Sequence, residues 1–288
     1  MLFIATWFAA ISSLFAVISL GRKGVFYMLL MRPIIDASWS SGFQLGVRLS
    51  AGRIFGVIIP LILLPKIVFG HRKPFFSLSL SKLSILYLLA SSTGMIAMAM
   101  KGQFMAEFIY FFRVLNVFLG FFIYQYYVDD SNAFRNLLII TMLAGLFPIF
   151  TGLYSSMVGH CFYRMDKIGD LYRAVGVYQG VVTQKLFAFQ TLSAIMLFDA
   201  YYKPKHVVVR LVLYIYMALS AYALYKCYSK AGMFVLAIWV VVWSILNRKF
   251  ILIIFAAFAV VLINFVTDNL IVNNILSIYQ NELLAIEG

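Results

Sequence analysis

"MLFIATWFAAISSLFAVISL" (residues 1–20) carries no charged side chain. As a helix rising ~1.5 Å per residue it reaches ~30 Å, the thickness of the hydrocarbon core of a bilayer. A secretory signal places basic residues before its apolar run, whereas Arg22 and Lys23 follow this one. The stretch therefore reads as a membrane span.

The pattern recurs along the chain. Further spans are expected at 24–40, 54–70, 83–100, 104–128, 137–157, 183–202, 207–225, 231–247 and 250–267. The second is broken by Arg32, Pro33 and Asp36 and reads as a half-helix or a tilted approach; Asp36 has an outer arginine or a helix cap as its alternatives. The third contains Pro60 and Pro65, so neighbouring helices must satisfy the carbonyls those prolines free. Of 288 residues, 64% are hydrophobic and 11% charged, with mean hydropathy +0.97. A soluble fold needs a polar exterior that this composition does not supply. The strands of a transmembrane barrel would alternate over ~10 residues, and no segment does. The expected class is all-α: a polytopic transmembrane helical bundle of about ten spans. It forms one integral membrane domain over 1–288, with an outer loop at 158–182.

Net charge is +13. The basic residues are scattered through short loops, which points to anionic head groups or an anionic substrate in the lipid bilayer and away from nucleic acid. Alternation of the spans puts eleven basic residues on one side, in "GRKG", "HRKPFFSLSLSK", "DDSNAFRN", "KPKHVVVR" and "NRK", and ten on the other. The first, more compact set reads as the inner side. Ten cations outside run against the usual bias: either the orientation is inverted, or they hold a negatively charged substrate, or they snorkel to lipid phosphates. Cys161 and Cys227 supply no metal framework. Both fall on the outer side, where a disulfide and two separate thiols are both open.

"LYRAVGVYQGVVTQ" (171–184) is too polar for a plain spacer between apolar runs. Arg173 suits a phosphate through two parallel hydrogen bonds. Gly176 and Gly180 let the backbone turn and approach a ligand, with Tyr178, Gln179, Thr183 and Gln184 beside them. The helix beginning near Thr183 offers the positive end of its dipole to an anion. The plainer alternative is a loop with a polar cap. In "YSKAGMF" (228–234), Ser229 and Lys230 precede small residues between two spans, as a charged turn or simply a tight one.

Taken together these stretches resemble the bacterial O-antigen ligase and polymerase family. "RAVGVYQGVVTQKLFAF" is similar to its Arg-x-x-Gly stretch, "YSKAG" to its Ser-Arg-Gly-Ala turn, and "RPIID" (32–36) to a signature of its exopolysaccharide-polymerase branch. The match spans roughly 170–270, and order and spacing supply most of its specificity. Lys230 stands where the family usually has arginine, and Gln179-Gly180 near where many members have Pro-Asn.

The resemblance implies a membrane fold like that of the glycosyltransferase C class and a metal-independent, inverting transfer without cofactor. A glycan would pass from an undecaprenyl-pyrophosphate donor to an acceptor hydroxyl at the outer face of the bacterial inner membrane, in surface polysaccharide synthesis. Other polysaccharide-assembly membrane proteins are implied as partners. Arg173 and Lys230 are the implied diphosphate contacts, with Arg113 added as a third cation and Gly176, Gln179 and Ser229 in support.

In the family a base lies in a large outer loop. Here residues 268–288 read as the start of such a loop, cut short, with Val272, Leu276, Tyr279, Leu283 and Ile286 at helical spacing. His160, near Asp166 and Asp170, is the outer histidine; an unperturbed imidazole, titrating near ~6.5, suits proton acceptance, and the alternative is a solvated loop residue. Within 104–128, Glu107 lies near the outer end and Arg113 near mid-depth, where a charge costs roughly 2.5–3.5 kcal/mol and faces a partner or cavity. Aromatic residues, 17% of the chain, read first as interfacial anchors and lipid packing. A lipid-linked-glycan transporter is the competing function, but it calls for repeats the sequence does not show. An inactive fragment or scaffold is the third reading.

Overall fold

The computed structural model describes residues 2–37, 43–45, 47–70, 73–102, 104–159, 167–168, 171–178, 180–248 and 276. Nine helices lie among them: α1 (Leu2–Ser19), α2 (Arg22–Asp36), α3 (Ala51–Val68), α4 (Ser81–Met100), α5 (Phe104–Tyr127), α6 (Ser131–Val158), α7 (Val181–Tyr202), α8 (Val207–Lys226) and α9 (Lys230–Leu246). Two short antiparallel hairpins join them, β1 (Phe43–Leu45) with β2 (Val47–Leu49) and β3 (Lys167–Ile168) with β4 (Leu171–Tyr172).

Six of these helices, α1, α3, α4, α6, α7 and α8, are long and apolar enough to cross a membrane. Shorter apolar helical stretches cover Val114–Tyr127 and Ala231–Leu246. The count of about ten spans is thus corrected to six among the described residues. Helix α2 has 15 residues and reaches only ~22 Å, short of the hydrocarbon thickness. The expected span at 250–267 lies outside the described residues.

The surface confirms the solvent. Helix α4 buries only Ser81 and Ser84, while Leu83, Leu86, Leu89 and Ile96 point outward, Leu86 with 64% of its surface exposed. Thr6, Ser13, Ser84, Thr191, Ser220 and Ser244 are buried instead. Water would reverse this arrangement; a bilayer favours it, because lipid tails accept large apolar side chains and small residues let helices approach. The hydroxyls of Ser84, Thr191, Ser220 and Ser244 donate to carbonyls three or four residues back in their own helices, so their burial leaves no donor unused. The chain is a helical, multi-pass membrane protein.

Contacts divide it into two compact units, Met1–Leu137 and Leu138–Gly288. The boundary falls inside α6, where no change of composition marks it, which is why the sequence reads as one domain.

In the first unit α1, α2, α3 and α5 share a core of Val17, Val25, Ile35, Phe55, Leu63, Leu119 and Phe122. Helix α2 closes on α1 at Gly24, where a side chain would strike the Ala16 carbonyl. Lys66 donates to the Val17 and Ile18 carbonyls at 2.9 and 3.1 Å, capping the end of α1. Pro60 has no N–H, which orphans the Gly56 carbonyl four residues before it. Asn116 of α5 donates to that carbonyl at 2.7 Å, the interhelical donor that a proline in a span requires. Arg22 meets Asp129 at 3.0 Å and Asp130 at 3.4 Å, and Lys73 donates to the Gln125 carbonyl at 2.5 Å. Three loops assigned to one side of the bilayer are thereby joined. Asp36 pairs with Arg32 one turn earlier in its own helix, at 2.9 Å.

In the second unit α6, α7, α8 and α9 pack through Ile149, Leu153, Ala188, Leu192, Met196, Ala223 and Leu224. Tyr216 adds a hydrogen bond from α8 to the Met142 carbonyl of α6 at 2.8 Å.

Candidate functional site: a cationic end of the second unit

The segment following β4 folds onto one end of the second unit, where α6 and α8 finish and α7 and α9 begin. Ala174, Val175, Gly176, Val177 and Tyr178 are all buried. Residues 174–178 of the expected 158–182 loop are thus drawn inward. The segment is a plug whose backbone groups find protein partners.

Ser155 of α6 supplies the central fastening. Its hydroxyl accepts from the Val175 and Gly176 amides at 3.2 and 3.0 Å and donates to the Gly152 carbonyl at 2.8 Å. One donor and two acceptors use its full capacity. The Ala174 amide donates to the Lys226 carbonyl at 2.8 Å, and Arg173 Nε to the Cys227 carbonyl at 3.0 Å. The stretch around Arg173 is thus bonded to the two residues immediately before "YSKAG", more than fifty residues away.

Gly176 makes the expected turn. Its φ is +61°, and a Cβ there would lie 2.8 Å from Thr151 Oγ1 and 3.2 Å from the Gly152 amide nitrogen. The glycine serves close packing against α6 and a left-handed backbone. Gln184 is also drawn inward. Its Nε2 donates to the Pro148 carbonyl at 2.6 Å, and its buried Oε1 has no protein partner among the described residues.

Cations gather at this end. Lys185, in the first turns of α7, donates to Ser229 Oγ at 3.0 Å. Its stem crosses α9 at Gly232, where a Cβ would come within 3.3 Å of Lys185 Cδ. Lys226 donates to the Tyr228 hydroxyl at 3.0 Å and lies over the Tyr222 and Tyr228 rings. Tyr228 takes a left-handed backbone, φ +44°, unusual for a residue with a Cβ, to turn the chain from α8 into α9. Among the described residues, the helix starts at Gly180 and Ser229 have no side-chain cap. Their first amides and dipole ends remain for an anion.

Cys227 is a free thiol buried beneath this cluster. Burial pushes its pKa up to about 12, against the opposing charges of Arg173 and Lys185. The raised pKa keeps the thiol protonated and unreactive. Thiol reagents at pH 8 are expected to label Cys227 only on unfolding, and prompt labelling of the folded protein would refute its burial. The stability it contributes is intact below its ordinary pKa of 9.0 and is lost as pH rises from there through about 12. A melting series across that range measures the fall.

The expected site residues sort as follows. Arg173, Gly176 and Ser229 come together in the second unit. Lys230 opens α9 beside Ser229, with its side chain outside the description. Gln179, His160, Cys161, Asp166, Asp170 and the 268–288 tail, apart from Leu276, lie outside the described residues. Glu107 and Arg113 are in α5 of the first unit, where neither side chain is described. Lys185, Lys226 and Ser155 were not singled out from sequence. The two lysines do leave a trace there, as charges at the ends of apolar runs; a serine in an apolar helix leaves none.

Compared with family models, with curated proteins and with solved structures, the chain matches none.

Proposed function

We propose that this end of the second unit holds the diphosphate of a lipid-linked glycan, and that the protein is a glycan polymerase or ligase of surface polysaccharide synthesis. On this reading it works at the outer face of a bacterial inner membrane, with an undecaprenyl-pyrophosphate donor and a fold of the glycosyltransferase C kind. The observation that carries the proposal is the bonding of the Arg173 segment to the turn before α9. That bonding places Arg173, Lys185 and two uncapped helix starts around one region.

The chemistry follows from the charges. An acceptor hydroxyl attacks the anomeric carbon, the carbon–oxygen bond to diphosphate breaks, and the hydroxyl proton passes to a base. Negative charge grows on the departing diphosphate. Fixed cations and helix N-termini stabilise that charge more in the transition state than in the ground state.

The test uses the full-length protein in its own membrane, with glycan length followed on gels and delivery of lipid-linked repeat units to the outer face followed separately. Lys185→Met is expected to reduce transfer about 10²-fold, the scale of losing one preorganised contact, and to leave delivery unchanged. Lys185→Arg keeps the charge and is expected to retain most of the transfer. Loss of delivery instead would replace the proposal with transport, and unchanged glycan length in Lys185→Met would end it.

A further inference from the structure

At the opposite end of the second unit, α7 finishes, α8 begins and α9 finishes. A cleft of about 260 Å³ opens there, lined by Asp199, Lys203, Pro204, Arg210, Tyr214 and Asn247. Its volume sits just below the range of small-ligand sites, roughly 300–1,000 Å³, which suits a head group rather than a larger molecule.

Asp199 is the unusual member. It is only 7% exposed, yet its carboxylate makes no hydrogen bond or ion pair with any described residue. Lys203 and Arg210 share the cleft; no side-chain nitrogen of either lies within 4.0 Å of a carboxylate oxygen, although Arg210 feels the Asp199 charge. The residue is buried but its carboxylate oxygens open to the cleft, where they can accept from a cationic donor that enters it. Lys203 is held in place by a left-handed backbone, φ +41°, that ends α7, with its amide donating to the Asp199 carbonyl at 3.2 Å. Arg210 donates to the Tyr214 hydroxyl at 3.3 Å, which leaves the phenolic proton free to be donated in turn.

The cleft therefore offers one acceptor of a hydrogen-donating cation and two cationic contacts for an anion, held apart from each other. A bare phosphate would leave Asp199 unmet, and a bare cation would leave Lys203 and Arg210 unmet. A phosphate joined by a short linker to a primary ammonium answers both. A trimethylated ammonium cannot hydrogen-bond to a carboxylate. The site also lies at the ends of apolar, membrane-length helices, and the first turns of α8 expose Val207, Val208 and Leu211. Exposed apolar surface thus borders it.

We propose that this cleft binds the head group of a phosphatidylethanolamine-type lipid, with the ammonium on Asp199 and the phosphodiester on Lys203 and Arg210. The inference is independent of the glycan-transfer reading, since it concerns the other end of the unit.

The test is lipid retention by the purified full-length protein, read by native mass spectrometry after exchange into micelles containing phosphatidylethanolamine, its trimethylated choline analogue or phosphatidylglycerol. The ethanolamine lipid is expected to bind about tenfold more tightly than the choline lipid, the scale of one charge-assisted hydrogen bond. Asp199→Asn is expected to erase that preference while keeping phosphate-dependent binding, and Arg210→Gln to weaken both lipids together. Equal retention of the two lipids by the unaltered protein would overturn the proposal even if the variants fail to fold. Preference for phosphatidylglycerol would overturn it in favour of a plain anion site. Binding of free phosphoethanolamine as tight as that of the diacyl lipid would remove the lipid as occupant.

Discussion

Ser155→Ala is expected to release residues 173–178 from the end of the second unit. The hydroxyl accepts two buried amides, from Val175 and Gly176, and donates to the Gly152 carbonyl. Removing it leaves the Gly176 amide without an acceptor, and Val175 with only the Arg173 carbonyl two residues back, at 3.0 Å. A buried donor stripped of its partner costs about 1–3 kcal/mol, so the pair is expected to cost about 2–4 kcal/mol. The loss is local to the plug. Cys227, whose thiol lies 3.3 Å from the Ala223 carbonyl and 3.5 Å from that of Ala174 in the plug, should then react with thiol reagents far faster than in the unaltered protein. Amide exchange at 174–178 should rise with it. A Ser155→Ala protein with Cys227 still protected and unchanged exchange would show that the plug is held by its apolar contacts alone.

Gly24→Ala should break the closest helix contact in the first unit. The added Cβ would collide with the Ala16 carbonyl and lie 2.8 Å from the Val17 amide nitrogen. These are backbone atoms of α1 and cannot rotate aside, so the helices must separate along the seam that buries Val17, Val25 and Met28. Overpacking of this kind costs about 1–3 kcal/mol or more. Gly94→Ala and Gly120→Ala are the controls, because a Cβ at either site meets nothing within 4 Å. Both are expected to hold or raise the melting temperature in detergent, by the helix preference of alanine over glycine, about 0.5–1 kcal/mol. Equal melting of Gly24→Ala and the two controls would refute the tight α1–α2 seam.

Legibility followed the physics of each signal. Apolar runs fix helices in place because a bilayer tolerates no unpaired backbone. Eight of the expected spans therefore reappear as helices within a few residues, with α2 the short exception. The need for a donor near Pro60 was readable too, since proline always orphans the same carbonyl; that Asn116 provides it was not. The nearness of Arg173 to the turn at Ser229 was suggested by the order of the motifs, and the hydrogen bonds between them give it a physical form. Gly176 was legible as a turn position; its close packing on Thr151 and Gly152 was not, because a glycine required for packing and one required for a ligand look alike in sequence.

The sequence by itself determined that this is a helical membrane protein, where its helices run, and which short polar stretches interrupt them. Those properties depend on neighbours along the chain and on the length needed to cross hydrocarbon. Only the tertiary structure decided that the chain forms two compact units, that Lys185 joins Arg173 at the "YSKAG" turn, and that Asp199 faces Lys203 and Arg210 across a cleft. Those relations arise where helices distant in sequence meet, and a hydropathy pattern carries no record of which faces touch.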